Sequence, residues 1–419
     1  MGIKDRFSHI FHNRETGLLG SRCFTRWFSA NESIVSRLGL YEELDGYNVR
    51  VKTVAFNSSG NLLVSGSGDK SIVVWDWERS TRLLSYDSGH STVRDTKIIP
   101  LTDDKRIATT SYDGQVRLAE VLEDGRVHTK SLGMYRFSAC KLAVEPGNPF
   151  RLYSCGEDGF VREFDLRSNC AKELLHCSRL SKGKYNPGKM VLNDIAIDPR
   201  NPNYFCAGGT DAYARVYDIR KLQREDASSN LDKPVDIFCP DHLIKTSGIW
   251  VSGLAYSNSS ELVVNYCNDH IYLFQKNMGF GSSIDKPQVF FGRRNDFSTT
   301  GVSFFGPNDD YVITGSRCDH IFIWKKNGAK LIRVIKGKTF QVKPHPHLPI
   351  IATCGPEMTV KLWGPMANDD HPLPYDIEKI MESNRMDTES NLQSYVNQFN
   401  MMEDLEQTME DADPCLEWQ

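Results

Sequence analysis

The stretch Val51-Lys-Thr-Val-Ala-Phe56, Leu62-Leu-Val-Ser-Gly-Ser67 and Ile72-Val-Val-Trp75-Asp76 contains three short apolar runs separated by polar turns. The first and third runs are rich in β-branched residues, which favour strands, and the second is rich in small residues. Asp69 lies in the turn before the third run, and Trp75 lies near the end of that run. The stretch therefore predicts three consecutive short β-strands.

The same pattern recurs six more times up to residue 363. Each copy has a turn residue that is followed, six positions later, by an aromatic residue or in one copy by alanine. The turn residues are Asp113, Asp158, Asp211, Asn268, Cys318 and Glu357. The residues six positions later are Ala119, Phe164, Tyr217, Phe274, Trp324 and Trp363. Counted from Trp75, successive copies are 44, 45, 53, 57, 50 and 39 residues apart.

Seven units of about 40–50 residues, each with several short strands, are typical of a seven-bladed WD40 β-propeller. A four-stranded sheet cannot bury both of its faces alone, and stacking seven of them around an axis closes a common core. We therefore predict an all-β fold, with the propeller in residues 46–366, a short helical segment in 1–45 and an acidic tail in 367–419. Two β-sandwiches, the alternative fold, give no reason for a seven-fold repeat.

The N-terminal segment contains Ser29-Ala-Asn-Glu32, which matches a helix capping box. Apolar residues follow at helical spacing, namely Ile34, Val35, Leu38 and Tyr41. The aromatic stretch Cys23-Phe-Thr-Arg-Trp-Phe28 comes just before them. We expect a helix here that either packs on the propeller or docks a partner. Residues 41–45 would supply the outer strand of the last blade and so close the ring.

The charge distribution separates the tail from the rest of the chain. The whole chain has 50 basic and 54 acidic residues, whereas residues 367–419 have 14 acidic and 2 basic ones. We expect the tail to be a solvated, largely disordered extension, with a helix formed on a partner over residues 395–405 as the alternative. The mild basic surplus of the remainder, without a basic run interleaved with aromatics, argues against direct nucleic-acid binding.

The cysteines and the N-terminus favour an intracellular protein. The eleven cysteines include no Cys-x-x-Cys pair, the first thirty residues carry charges throughout, and no apolar run approaches the roughly 18 residues that span a membrane. We therefore expect reduced thiols, a location in the nucleus and cytoplasm, and no membrane association.

No catalytic motif stands out in the sequence. Gly337-Lys338-Thr339 lacks the earlier glycine of a phosphate-binding loop, because Ile332 stands at that position. The pairs Cys267/His270 and Cys318/His320 precede predicted strands and are interpreted as turn residues rather than metal ligands. We expect neither enzymatic activity nor a cofactor or metal. A hydrogen-bond network within blade two is expected to be structural, and its members are His90, Ser111 and Asp113.

Two neighbouring repeats end in a similar tetrad. Phe164-Asp-Leu-Arg167 and Tyr217-Asp-Ile-Arg220 both have an aromatic residue, aspartate, an aliphatic residue and arginine. In one interpretation the aspartate caps the turn and the arginine is merely solvated. In the other, two guanidinium groups on one rim bind carboxylates or carbonyls of a partner protein. These residues leave both interpretations open.

These tetrads resemble the WDxR boxes of cullin-4-associated WD40 factors, and the closest resemblance is to the factor-eight type in its plant-like form. Other stretches carry the same resemblance, namely Arg22-Cys-Phe-Thr-Arg26, Ser65-Gly-Ser-Gly-Asp69, Val74-Trp-Asp-Trp77, Asp198-Pro-Arg-Asn-Pro-Asn-Tyr204, Phe238-Cys-Pro240 and Pro344-His-Pro-His-Leu-Pro349. The first repeat departs from the box, because Glu78 stands where the box has arginine.

The resemblance implies a substrate receptor that bridges the damaged-DNA-binding protein 1 adaptor of a cullin-4 RING ubiquitin ligase to a protein substrate. It performs no bond chemistry itself and instead raises the local concentration of substrate near the ubiquitin-charged enzyme. The adaptor-docking residues that the resemblance implies are Arg167, Arg220, Asp165, Asp218, Phe24, Arg26, Trp27, Ile34 and Leu38. The alternative function is a WD40 scaffold for other proteins that is not linked to a ubiquitin ligase.

Overall fold

The structure is a computed structural model of the 419-residue chain. It describes residues 12–412 except 90, 169, 179–189, 223–232, 245, 280–285, 296–300 and 367–372, and in 398–412 it describes the backbone alone. All structural statements below concern this part of the chain.

Seven antiparallel sheets of four strands make up the body of the molecule. Blades one to three contain β2 Val51–Phe56, β3 Leu62–Ser67, β4 Ser71–Asp76, β5 Thr81–Asp87, β6 Val93–Ile98, β7 Arg106–Ser111, β8 Gln115–Val121, β9 Val127–Met134, β10 Ala139–Val144, β11 Arg151–Gly156, β12 Phe160–Asp165 and β13 Cys170–His176. Blades four to six contain β14 Leu192–Ile197, β15 Tyr204–Gly209, β16 Ala214–Asp218, β17 Asp236–Phe238, β18 Trp250–Tyr256, β19 Leu262–Cys267, β20 Ile271–Phe274, β21 Gln288–Phe290, β22 Val302–Phe305, β23 Tyr311–Gly315, β24 His320–Lys325 and β25 Leu331–Lys336. Blade seven contains β26 Gln341–Pro344, β27 Ile351–Cys354, β28 Thr359–Pro365 and, from the N-terminal side, β1 Leu38–Asp45. The predicted seven-bladed propeller is confirmed.

The ring closes through β1, which pairs antiparallel with β28 from Leu38 opposite Pro365 to Asp45 opposite Thr359. An outer strand from residues 41–45 was expected, and the strand in fact begins earlier, at Leu38. This pairing joins the two ends of the propeller, so that blade seven is complete although β26 and β27 have only four residues each.

The alternation of strands gives the ring two rims. In each blade the loops between the first and second strands and between the third and fourth strands lie on one side of the ring, which we call the lower rim. The loops between the second and third strands lie on the other side, together with the connections between blades. We call this side the upper rim.

Buried side chains fill the spaces between neighbouring blades. Phe205 and Tyr217 of blade four stack with ring centroids 5.3 Å apart and share one apolar cluster with Tyr153 of blade three. All three are fully buried, and each such side chain stabilises the fold by about 1.5–3 kcal/mol. The aromatic residue that recurs near the end of each third strand is thus mainly a core residue.

Blade one has a buried hydrogen-bond network that contains a tyrosine. Trp75 Nε1 donates to Ser65 Oγ at 2.7 Å, and the Tyr47 hydroxyl bonds to the same Ser65 oxygen. Burial raises the pKa of Tyr47 to about 12, so that its hydroxyl stays neutral. Tyr47 therefore connects the start of blade one to its second and third strands.

Two short helices that precede β1 differ from the sequence-based expectation. α1 spans Ser21–Ala30 and α2 spans Glu32–Val35. The predicted capping box is wrong, because Asn31 caps α2 by accepting a hydrogen bond from the Ser33 amide at 2.9 Å. The Ser29 hydroxyl instead donates to the carbonyl of His347, a contact that no local pattern reveals.

The acidic tail also differs from the expectation of disorder. α4 spans Ile377–Ala412, and its first turns pack on the upper rim, where Asn384 is 98% buried. The expected disordered extension is therefore wrong for this stretch, because contacts with the propeller stabilise the helix. One further short helix, α3 at Ile219–Leu222, follows the third strand of blade four, and a 3-10 turn lies at Asp241–Leu243.

Candidate functional site on the lower rim

Arg167 and Asp165 form a fixed pair in the lower-rim loop after β12. Asp165 accepts from Arg167 Nε at 3.3 Å, from Nη2 at 3.0 Å and from the backbone amide of the same arginine at 2.9 Å. The guanidinium carbon lies 5.2 Å from the centroid of the Phe150 ring. Sixty per cent of the arginine side chain remains exposed. The carboxylate and the ring thus fix the orientation of a guanidinium that faces solvent.

Blade four repeats this geometry with Arg220 and Asp218. Asp218 accepts from Arg220 Nε at 3.0 Å and from Nη2 at 2.8 Å, and Tyr204 lies under the guanidinium at 6.0 Å. The carboxylate is 4% exposed, whereas the arginine side chain is 53% exposed. Because Asp218 directly precedes the short helix α3, its carboxylate also caps this helix by accepting from the Arg220 amide at 3.0 Å.

Both carboxylates are stabilised in their charged form. The hydrogen bond from Arg167 lowers the pKa of Asp165 to about 2, and the hydrogen bond from Arg220 likewise lowers the pKa of Asp218. Both pairs are therefore ionised throughout the physiological pH range. The guanidinium group of each arginine bonds to the aspartate along one edge and presents its remaining N–H groups outward.

The N-terminal helices lie on the same rim, against blades six and seven. Arg26 of α1 donates through Nε to Asn308 Oδ1 at 3.1 Å, and Tyr311 donates to the carbonyl of Ala30 at 2.9 Å. Glu32 of α2 pairs with Lys325 at 3.0 Å and Lys330 at 2.8 Å. The helices therefore pack on the propeller, and they lie on the same rim as the two arginine pairs, with blade five between them.

The expected docking residues of the N-terminal segment differ in exposure and in the element on which they lie. In α1, Arg26 is exposed, and Phe24 and Trp27 are half-buried. Ile34 in α2 is half-buried as well. Leu38 is fully buried in β1, within the core of blades six and seven. Its expected place on a helical docking face is therefore wrong, because the chain turns into a strand before it.

Sequence reasoning missed two more aspartate–arginine pairs on the lower rim. In blade one Asp76 pairs with Arg79 at 3.0 Å, one residue beyond Glu78. In blade two Arg126 Nε donates to Asp124 at 2.6 Å. The spacing Asp124-Gly-Arg126 is the same as in the tetrads, but no aromatic residue precedes it. Four consecutive blades therefore carry such a pair, and among these four only blades three and four combine the two-residue spacing with a preceding aromatic residue.

The predicted network of blade two lies on the upper rim. Ser111 bonds to Asp113, which also accepts from the backbone amides of Ser91 and Gln115, both at 3.0 Å. His90 lies outside the described residues. These contacts hold a turn in place, as a structural role requires.

Comparison with known proteins agrees with the propeller. The model of the WD domain, G-beta repeat, matches residues 40–76, which span β1 and most of blade one. The matched region is one repeat of this type, and the structure contains the same four-stranded sheet seven times. The matched residues include 51–76, the stretch whose pattern recurs in the other six blades.

Curated relatives occur in a plant, a mammal and a yeast. The chain is 31% identical over 283 residues to Protein ALTERED SEED GERMINATION 2 of Arabidopsis thaliana, covering 60% of this chain and 37% of that protein. It is 28% identical over 312 residues to DDB1- and CUL4-associated factor 6 of Mus musculus, covering 71% of this chain and 34% of that protein. It is 29% identical over 278 residues to WD repeat protein iqw1 of Schizosaccharomyces pombe, covering 60% of this chain and 34% of that protein.

The chain spans about a third of the length of the curated relatives that it matches. The resemblance to cullin-4-associated WD40 factors is confirmed at this level, whereas the finer assignment to the factor-eight type stays a prediction. Among the helices in the described part of the chain, none is both long and apolar enough to cross a membrane.

Proposed function

We propose that this WD40 protein is the substrate-recognition subunit of a cullin-4 RING ubiquitin ligase. In this role it binds the damaged-DNA-binding protein 1 adaptor through the lower rim and a protein substrate through another surface. The observation that carries the proposal is the pair of aspartate-oriented arginines, Arg167 and Arg220, in consecutive blades of one rim. The relative named as a DDB1- and CUL4-associated factor supports the choice of adaptor.

The geometry suits docking of a protein because each guanidinium is held before the partner arrives. An arginine side chain loses up to about 2 kcal/mol of rotamer freedom when it is fixed at an interface. Asp165 and Asp218 fix the two guanidinium groups in the free protein, so that less rotamer freedom is lost when a partner binds. The outward N–H groups would donate to carboxylates or carbonyls of the adaptor.

The helix α1 would supply a second contact on the same rim. Its stacked rings Phe24 and Phe28, with centroids 6.0 Å apart, form a half-buried apolar surface beside the exposed Arg26. Aromatic and arginine side chains are the residue types that carry most binding energy at interfaces. The proposed docking surface thus runs from blades three and four to the N-terminal helix.

The ligase would use this protein as a tether rather than as a catalyst. The adaptor would hold the propeller on the cullin-4 scaffold, and a bound substrate would then be close to the ubiquitin-charged enzyme. We further propose that this takes place in the nucleus and cytoplasm, which cellular imaging of the tagged protein would test.

Affinity purification of the full chain from cells tests this function. We expect the adaptor and cullin-4 to co-purify with the wild-type protein, and substrates to accumulate in the same sample when the proteasome is inhibited. Purified protein that captures neither adaptor nor cullin-4 would contradict the proposal. Capture of other proteins without them would favour the alternative, a WD40 scaffold outside the ligase.

A further inference from the structure

The C-terminal helix α4 covers part of the upper rim, on the side of the ring opposite the proposed adaptor-docking surface. The amide of Asn384 donates to the carbonyl of Gly292 at 2.7 Å, in the connection between blades five and six. Asp387 accepts from Arg294 Nη1 at 2.5 Å in the same connection. Tyr395 packs against Trp250, at the start of blade five, with ring centroids 5.9 Å apart.

The residues of α4 that face the ring lie on one stripe of the helix. They are Ile377, Met381, Asn384, Leu392 and Tyr395. Their spacings of three, four or eight residues place them on a single face of an α-helix. On the outward face Glu378, Glu382 and Glu389 are exposed. The helix is therefore amphipathic, with an apolar stripe toward the ring and carboxylates toward solvent.

The surface under α4 is shaped for the close approach of a helix. Gly292 has φ of +102°, and a Cβ atom there would lie 2.6 Å from the Met381 side chain. Gly248 has φ of +82°, and a Cβ atom there would lie 2.8 Å from the Tyr395 ring. A side chain at either position would collide with the helix and strain the backbone. These glycines leave room for a helix on this surface.

The ring does not depend on α4 for its own strands. All seven sheets have four strands without it, and no described strand pairs with residues of the tail. The ion pair between Arg294 and Asp387 is partly exposed, with side-chain exposures of 27% and 45%. Partly exposed pairs contribute little to stability. Because the seven sheets are complete without α4, displacement of this helix would leave the strand pairing of the propeller intact.

We propose that the surface around Gly248, Trp250, Gly292 and Arg294 is a binding site for an acidic amphipathic helix of a partner protein, which α4 occupies in the free chain. The partner must place apolar side chains on Trp250 and a carboxylate on Arg294, as α4 does. The identity of the partner rests on the proposed function, in which the protein bound at this surface is a ubiquitination substrate. A covalently attached helix competes at high effective concentration, so that partner binding requires its displacement.

A variant of the full chain with α4 weakened tests the site. Asn384→Ala combined with Asp387→Arg removes the buried amide and places two arginines face to face. The matched control, Ser383→Ala combined with Glu378→Arg, makes the same kinds of change on the exposed face. Hydrogen–deuterium exchange should show faster exchange of amides 377–397 in the first variant alone. An equally protected helix in both variants would overturn the proposal, because α4 would then be a permanent part of the fold.

The probe for the vacated surface is a fluorescent peptide of residues 373–397, titrated into each protein. We expect it to bind the weakened variant at least tenfold more tightly than the wild type or the control, and the same peptide with Asp387→Arg to lose this binding. The contrary result is a weakened variant that shows faster hydrogen exchange in α4 and still binds the peptide no better than the wild type. That result would overturn the proposal of a helix-binding site on this surface. The proposed adaptor-docking surface lies on the opposite rim. Peptide binding by a protein that captures no adaptor would therefore refute the ligase assignment and leave the helix-binding site standing.

Discussion

Asp218 is almost fully buried and holds the guanidinium of Arg220 through two hydrogen bonds, whereas Arg220 itself remains half exposed. Asp165 holds Arg167 through the same two kinds of hydrogen bond one blade earlier, with a carboxylate that is 30% exposed. In each pair the carboxylate is the more buried partner and orients the more exposed arginine. This division of roles makes the contribution of each residue separable by experiment.

The aspartates are expected to act by positioning the arginines. Asp165→Asn and Asp218→Asn keep the side-chain shape but remove the charge that orients the guanidinium. We expect adaptor affinity to fall severalfold with each, less than on loss of the arginine itself, because a charge-assisted hydrogen bond is about twice as strong as a neutral one. Calorimetric titration with purified adaptor measures this. Asp124→Asn, in the pair without an aromatic residue, is the control and should change nothing. A full loss of affinity in the control would contradict the assignment to blades three and four.

Leu38 is expected to stabilise the ring and not to touch the adaptor. It is fully buried between blades six and seven, so that Leu38→Ala should lower the free energy of unfolding by about 2–5 kcal/mol. Leu40→Ala, in the same strand but 43% exposed, should change it by at most about 0.5 kcal/mol. Urea unfolding followed by tryptophan fluorescence compares the two. Equal stability of both variants would show that β1 does not close the ring.

His345 is expected to make stability fall in mild acid. Its Nε2 donates to the Gly60 carbonyl at 2.9 Å, while its Nδ1 accepts from the amides of His347 at 3.0 Å and Leu348 at 2.8 Å. This arrangement requires the neutral ring, and burial lowers its pKa to about 4. The unfolded chain binds a proton near pH 6.5, so that stability decreases as pH falls from 6.5 toward 4.

Unfolding measured between pH 4.5 and 7.5 tests this role of His345. His345→Gln should be less stable than the wild type at pH 7, by about 1–3 kcal/mol, since it leaves backbone amides without a partner. Its stability should also depend less steeply on pH. His128→Gln, at a residue on the outer strand of blade two that is not buried, is the control and should keep the wild-type slope. The same slope in the His345 variant would refute the assignment.

The fold could be predicted from the sequence because its signal is repeated. The residue six positions after each turn is a core residue, aromatic in six blades and alanine in blade two, and seven such positions fix the number of blades. The tetrads were also visible, because Asp165 and Asp218 bond to arginines only two residues away. Contacts within a few residues leave local patterns that a single sequence displays.

The features that sequence reasoning missed depend on contacts between distant residues. Ser29 bonds to His347 rather than capping the next helix, and α4 is ordered by Gly292 and Trp250 of the propeller. The tail looked disordered because its carboxylates dominate its composition. Its apolar stripe acquires a partner only when blades five and six are assembled.

The affinity of the adaptor for the double variant Arg167→Ala, Arg220→Ala tests the central claim most directly. Each arginine would be a binding hot spot of about 2 kcal/mol or more, so that the double variant should bind at least about a hundredfold more weakly than the wild type. Arg126→Ala, which removes the arginine from an equally spaced pair in blade two, should bind like the wild type. Wild-type affinity in the double variant would contradict docking through these two blades.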